Sequence, residues 1–506
     1  MQETWATSAG LDLHIELSGT RPRAALESAL RDAVRSGRLA AGTALPSSRA
    51  LAADLGLARN TVADAYGQLV AEGWLAARHG SGTWVAEQAA QLPAEGPVQA
   101  RVPSAGVRYD LRPGFPDVSA FPRAAWLAAA RRALAAAPAR SLTGYGDSRG
   151  LPVLRAALAE YLARARGVMA SPDRIIVCAG FAQGLELVCD LLRTRGQPTL
   201  AIEAYGHPAH RKVAVSAGMR LATVPVDDRG ALAGGAPPPP GAGALMLTPA
   251  HQYPLGVALA PERRRRAVDW AAAGNGLIIE DDYDGEFRYD RQAVGALQSL
   301  APDHVVYAGT ASKSLAPGVR LGWLVVPDRL ARDITDIKRA TSRLSSSLDQ
   351  LTLAEFISSG GYDRQVRRAR LAYRTRRDRL VSELRRQVPG IGVTGIAAGL
   401  HVLVRLPAGV AESDVVAGAA ARGLALEGLA GCRAGEPDGL GGSGGLGGSG
   451  GLGGGGGEGG GGGEGGGGGD EIGAAVIIGY ATPPGHAFST AVARLCAVLR
   501  DAVASG

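Results

Sequence analysis

Four short apolar runs constrain this chain more than any other feature: Ile175-Ile176-Val177, Ala244-Leu245-Met246-Leu247, Leu277-Ile278-Ile279 and Val305-Val306-Tyr307. They lie between about 108 and 345, where strand and helix patterns alternate. A run apolar at every position is a strand covered on both faces, and strands separated by helices pair in parallel through crossovers. An α/β domain with a mostly parallel sheet follows. From about 346 onward the pattern predicts a smaller α+β part. Residues 439–469 within it are nearly all glycine, a composition that buries no apolar surface and predicts a disordered insertion.

Residues 15–87 follow another plan. Leu26, Ala29, Leu30, Ala33 and Val34 mark one face of a helix, which Gly37 ends. Pro46-Ser47-Ser48 opens a second helix from Arg49 to Leu55, stopped by Gly56. A third begins at Asn60 or Thr61, with Thr61 and Asp64 spaced as a capping box, and Gly73 closes it. Trp74–Ala77 and Thr83–Val85 predict a hairpin around Arg78-His79-Gly80. Residues 88–107 have no periodicity and predict a linker, which leaves 108–506 as one large domain.

The chain carries a net charge of +7, which permits a polyanionic partner. It holds 51 arginines and three lysines, Lys212, Lys313 and Lys338. Arginine serves for phosphate contacts but not as an amine nucleophile, so each lysine invites a reason. Cys178, Cys189, Cys432 and Cys496 have no metal-ligand or disulfide spacing, predicting buried thiols and no metal. No apolar run is long enough to span a membrane, and the start of the chain lacks a signal-peptide pattern, so a cytoplasmic protein is expected.

The segment from Arg21 to Val85 resembles the GntR-type winged helix-turn-helix. In that fold the third helix enters the major groove of double-stranded DNA. Arg59, Asn60 and Thr61 are then the candidates for base edges, because Arg matches guanine and Asn matches adenine with two hydrogen bonds. Ser48, Arg49, Arg78 and His79 are the candidates for phosphates.

A second constellation lies downstream. Gly309-Thr310-Ala311-Ser312-Lys313 follows an apolar run, with Arg320 seven residues past the lysine. A lysine in a Ser/Thr/Gly loop suits an aldehyde cofactor carrying a phosphate: Lys313 as the Schiff-base amine, and Thr310, Ser312 and Arg320 as phosphate donors. Glu280-Asp281-Asp282-Tyr283-Asp284 ends another run, with Asp281 chosen for a pyridinium nitrogen and Tyr283 for a phenolic oxygen. Gly180-Phe181-Ala182-Gln183-Gly184 opens a helix, a turn suited to phosphate.

With TPAHQYPLG and GYGDSRG, these residues resemble fold type I aminotransferases, and more closely the MocR family, which joins a GntR-like domain to an aminotransferase-like one. The resemblance implies pyridoxal 5′-phosphate as cofactor and a head-to-tail homodimer. It also implies Tyr145 reaching the partner's phosphate and His251 or Gln252 beside the phenolic oxygen. Two positions depart from it. His207 stands where relatives stack an aromatic ring on the cofactor, and an imidazole titrates near neutrality. Ile477 stands where aminotransferases carry the arginine that grips a substrate carboxylate.

The reading favoured by these residues is a transcriptional regulator that senses pyridoxal phosphate, similar to the PdxR subgroup that controls vitamin B6 genes. The alternatives are a MocR regulator sensing an amino compound through the cofactor, and an aminotransferase. The helix predicted at 364–386 carries ten arginines, read as a solvated or dimer-facing surface or a second DNA contact, and Arg263–Arg266 as an exposed helix start.

Overall fold

The computed structural model describes residues 6–8, 11–13, 21–78, 82–87, 107–144, 146–232, 237–274, 276–289, 294–341, 345–435 and 472–505. The linker 88–107, apart from Val107, and the glycine tract lie outside them. The chain forms two compact units, Met1–Pro103 and Ser104–Gly506.

In the first unit three helices, α1 (Pro22–Arg35), α2 (Ser48–Leu55) and α3 (Arg59–Ala71), bury Leu26, Leu30, Leu51, Leu55, Val62 and Leu69 in one core. Ser47 caps α2 through its hydroxyl, which accepts from Ala50 N at 3.2 Å, and Gly56 closes it at φ 65°. The Tyr66 hydroxyl of α3 donates to Pro46 O at 3.0 Å, fixing α3 to the start of α2. The capping box expected at Thr61 and Asp64 does not form. The helix starts at Arg59, behind Ala58, whose side chain has no acceptor. The hairpin runs Leu75–Arg78 to Gly82–Val85, and Ala44–Leu45 adds a third strand against Gly82–Val85. A two-residue strand is too short to announce itself in a sequence.

The second unit is built on a seven-stranded sheet in the order Ile175–Cys178, Gly322–Val325, Val305–Thr310, Leu277–Asp281, Ala244–Leu247, Thr199–Glu203, Arg220–Val224. Every neighbour pair is parallel except those of Gly322–Val325, which runs antiparallel to both its partners. The four apolar runs are therefore strands, buried throughout except Met246. Helices such as Phe181–Thr194 and Pro261–Gly274 cover the sheet, and their buried residues join its cores. A smaller antiparallel sheet orders Gly392–Thr394, His401–Arg405, Ala475–Gly479 and Glu427–Gly428 around a separate core with Leu380, Leu384, Leu495 and Leu499. All four cysteines are free and buried.

The exposed helix start expected at Arg263–Arg266 is corrected at two positions, since only Arg265 and Arg266 are exposed. Arg263 and Arg264 are buried, and Arg263 forms a fork with Asp227 at 2.5 and 2.7 Å. The helix Gly361–Gln387 is not solvated all round. Arg376 turns inward to Asp117 at 2.6 Å and to the carbonyls of Ala481 and Pro483.

Candidate cofactor cavity and DNA-facing surface

Five parallel strands of the large sheet end at one edge, where α/β proteins place their ligands. The turn after Ile175–Cys178 delivers Phe181 and Ala182, Thr199–Glu203 ends in Glu203, and Ala244–Leu247 is followed by Thr248. Leu277–Asp281 ends in Asp281 with Tyr283 just beyond, and the loop after Val305–Thr310 delivers Ser312, Lys313 and Arg320. These residues line one cavity of about 190 Å³ together with Gly114, His207, His210, Arg211 and Tyr253.

Its charged groups are strongly desolvated. Asp281 is only 4 % exposed, and the nearest imidazole, Nδ1 of His210, is 3.8 Å from its Oδ2. Burial pushes its carboxyl well above the ordinary range; Lys313 opposes this, while Asp282, Asp284 and Glu203 add to it. Burial likewise lowers the Lys313 amine, with Asp281 and Asp284 partly offsetting it. Its Nζ donates to Gly114 O at 2.5 Å. The Arg320 guanidinium is exposed at the rim and has no hydrogen-bond or ion-pair partner among the described residues. Its backbone sits at φ 51°, a left-handed conformation that costs a non-glycine residue about 1–3 kcal/mol. Gly180, in the turn beside Arg320, sits at φ 111°, a backbone conformation that side-chain-bearing residues rarely adopt. Thr310 Oγ1 donates to Ser312 Oγ at 2.9 Å, so both hydroxyls converge at the loop.

Other expected residues fall elsewhere. His251 does not line the cavity. It is buried behind Tyr283, its Nδ1 2.8 Å from Asp284 Oδ2 and 3.2 Å from the Tyr283 hydroxyl, with the His401 ring tilted against it at 5.1 Å between centroids. Gln252 turns away to the carbonyls of Tyr205 and Tyr253. Gln183 folds back to accept from Ala179 N at 2.8 Å. Tyr145 and His79 lie outside the described residues.

His207 caps the helix Pro208–Ser216, its Nδ1 accepting from Ala209 N, and stacks on His210 with centroids 4.8 Å apart. Titration near neutrality is not what its surroundings give. Although the residue is exposed, desolvation and then Lys313 and Arg211 push it down to about 4.

Glu203, Thr248, Tyr253, His210, Arg211 and Gly114 were absent from the sequence reading. Glu203 accepts from Thr248 N at 3.1 Å and Thr248 Oγ1 at 2.6 Å, and burial raises its carboxyl to about 7. A glutamate ending the run Thr199-Leu200-Ala201-Ile202 was the available signal. Ile477, by contrast, is wholly buried within Ala475–Gly479, opposite Leu403 and Glu427 and packed with Leu429 and Cys432.

In the first unit Arg59 and Asn60 are exposed at the N-terminus of α3, with Thr61 half-buried. Arg49 is exposed on α2 and Ser48 half-buried, and Arg78 is exposed at the hairpin.

These features define a class: a helix-turn-helix regulator carrying a fold type I aminotransferase-like domain, the fold that takes pyridoxal 5′-phosphate. Residues 22–85 match the model of bacterial regulatory proteins of the gntR family, whose members bind DNA, and residues 115–430 match aminotransferase class I and II. The chain is 35 % identical over 426 residues to the HTH-type pyridoxine biosynthesis transcriptional regulator PdxR of Corynebacterium glutamicum, covering 83 % of this chain and 91 % of that one. It is 34 % identical to the probable rhizopine catabolism regulatory protein MocR of Rhizobium meliloti over 74 % of this chain and 80 % of that one. With the HTH-type transcriptional regulator TauR of Rhodobacter capsulatus the identity is 32 %, over 79 % and 87 %. The chain belongs to the MocR family of GntR-type transcriptional regulators. Its fold is similar to that of a multiple substrate aminotransferase from Thermococcus profundus, with a TM-score of 0.64 and 21 % identity over 80 % of this chain and 94 % of that one. No helix among the described residues is long and apolar enough to cross a membrane.

Proposed function

We propose that this regulator senses pyridoxal 5′-phosphate itself and controls genes of vitamin B6 metabolism, without turning over an amino acid. One observation carries the reading: Lys313, the buried carboxylate of Asp281 and a guanidinium, Arg320, that has no partner among the described residues share one cavity, while Ile477 is sealed in an apolar core. Burial penalises the ionised form of Asp281, and a protonated ring nitrogen beside it would offset that cost. The relative named for pyridoxine biosynthesis supports the choice of effector.

When bound, the cofactor supplies an aldehyde and an electron-accepting ring. Lys313, its amine made less basic by burial, is the attaching nucleophile. Asp281 holds the proton on the ring nitrogen, and Tyr283 directs its hydroxyl to the phenolic oxygen. Arg320, Thr310, Ser312 and the N–H groups of Phe181 and Ala182 hold the phosphate. His207 covers one ring face as a neutral imidazole. His251 acts through Tyr283 rather than on the ring. In the first unit Arg59, Asn60 and Thr61 read bases, while Ser48, Arg49, Arg78 and His79 hold phosphates.

The same reading takes 15–87 as the DNA-binding domain, 88–107 as linker, 108–506 as the effector domain, a head-to-tail homodimer with Tyr145 serving the partner's site, and a cytoplasmic location. A sensor's ligand must favour one conformation, since equal affinity for both shifts nothing. A coupling of about 1–3 kcal/mol changes operator affinity roughly 5- to 150-fold. The test is an operator titration with apo protein, with pyridoxal phosphate, and with Lys313→Ala. Equal affinities in all three refute the sensor. A shift that needs an added amino compound supports an amine-sensing regulator, in line with the relative named for rhizopine catabolism.

A further inference from the structure

We propose that residues 111–117 form a strap that reports whether Lys313 is occupied: the Gly114 carbonyl holds the free amine, and attachment of the cofactor releases it. The inference rests on the reading that Lys313 carries the cofactor.

The strap is fixed at both ends. Upstream, Tyr109-Asp110 pairs with Leu424-Ala425, and Leu111 O accepts from Gly479 N at 2.7 Å. The Thr482 hydroxyl lies 2.8 Å from Arg112 O and 3.2 Å from Phe115 O. Downstream, Asp117 N donates to the Tyr373 hydroxyl at 3.2 Å and Asp117 Oδ2 accepts from Arg376 at 2.6 Å. Between these anchors Pro113 and Pro116 have no N–H to give. Gly114 lines the cavity at φ 89°, and a Cβ built on it would lie 3.7 Å from Lys313 Nζ. Few residues other than glycine adopt that backbone, which brings the carbonyl to within 2.5 Å of the amine.

Attachment removes the donor. Condensation of the neutral amine with an aldehyde forms a C=N bond, expels one water and takes both protons from nitrogen. The Gly114 carbonyl is then a partly buried acceptor without its partner, and the strap must shift to satisfy it. Residues 107–110 separate the strap from residues 88–106, which lead back to the helix-turn-helix. On this proposal a change in the strap is passed towards the DNA-binding unit through the two-residue Tyr109–Asp110 pairing that precedes it.

Hydrogen exchange across 108–118 tests this in full-length protein, with three samples: apo, loaded with pyridoxal phosphate, and apo Lys313→Ala. The amides of Gly114 and Phe115 are expected to exchange several-fold faster in the loaded protein and in Lys313→Ala than in apo wild type. In parallel, Gly114→Ala, whose backbone disfavours the left-handed turn, is expected to bring the ratio of operator affinities with and without cofactor towards one. Borohydride labelling of each loaded sample separates the two ideas. No label on Lys313 defeats the attachment reading. A label on Lys313 with unchanged strap exchange overturns the strap.

Discussion

The cavity at the sheet edge and the strand Ala475–Gly479 are opposites in polarity. At the first, Lys313, Asp281, Glu203, Arg320 and two histidines crowd about 190 Å³, several with shifted protonation. Every residue of the second is buried, and Ile477 packs on Leu403, Leu429 and Cys432. Charged groups are kept in a desolvated cavity at a cost to stability, so such clusters mark function, whereas an isoleucine in a dry core stabilises by packing. On the proposed reading the cavity holds the cofactor, and a core isoleucine stands where the family resemblance implies the group that grips a substrate carboxylate.

The sharpest way to break this contrast is at Lys313. Borohydride reduction of loaded protein is expected to fix the cofactor on Lys313, and Lys313→Ala is expected to abolish the adduct. A label on Lys212 or Lys338 contradicts the assignment; Lys338 is committed to the carbonyls of Ser148 and Val177, each at 2.6 Å. On the other side of the contrast, Ile477→Ala is expected to lower stability by about 2–5 kcal/mol through the cavity it leaves. Cofactor affinity should be unaffected, as denaturant melts and spectral titration will show. Arg59→Ala extends the test to the exposed charges of the first unit. It is expected to cost about 1–3 kcal/mol on the cognate operator and little on random DNA; equal losses on both would displace α3 from the base-reading role.

Glu203 provides the subtlest test. Its folded carboxyl titrates near 7 against an ordinary 4.5, so the protonated form is favoured in the folded state. Its contribution to stability is present below about 4.5 and is lost as pH rises towards 7. Glu203→Gln is expected to flatten that part of the apo protein's stability–pH curve, read by thermal melts from pH 4.5 to 7.5. An unchanged slope contradicts a buried, protonated Glu203.

What the sequence disclosed follows from how locally each feature is encoded. The central strands were legible because burial on both faces writes them as unbroken apolar runs. Arg220–Val224, at the sheet edge with only Val224 fully buried, carries no such signature. Gly322–Val325 is apolar but adjoins the lysine loop, which masked it as a strand. In the cavity, Lys313, Asp281, Tyr283 and Arg320 were found through short local motifs. Gly114 was not, since it meets Lys313 from 199 residues away. His251 was placed one layer too close because sequence gives proximity along the chain and not depth. Arg263 read as exposed because its partner Asp227 lies on a distant strand.

The most direct test of the central claim follows the absorption spectrum of the cofactor-loaded protein during titration with amino acids and with taurine. A seat that holds the cofactor but has no carboxylate grip predicts an unchanged spectrum on the timescale of enzyme turnover. Rapid, saturable conversion of the cofactor by an α-amino acid would contradict it.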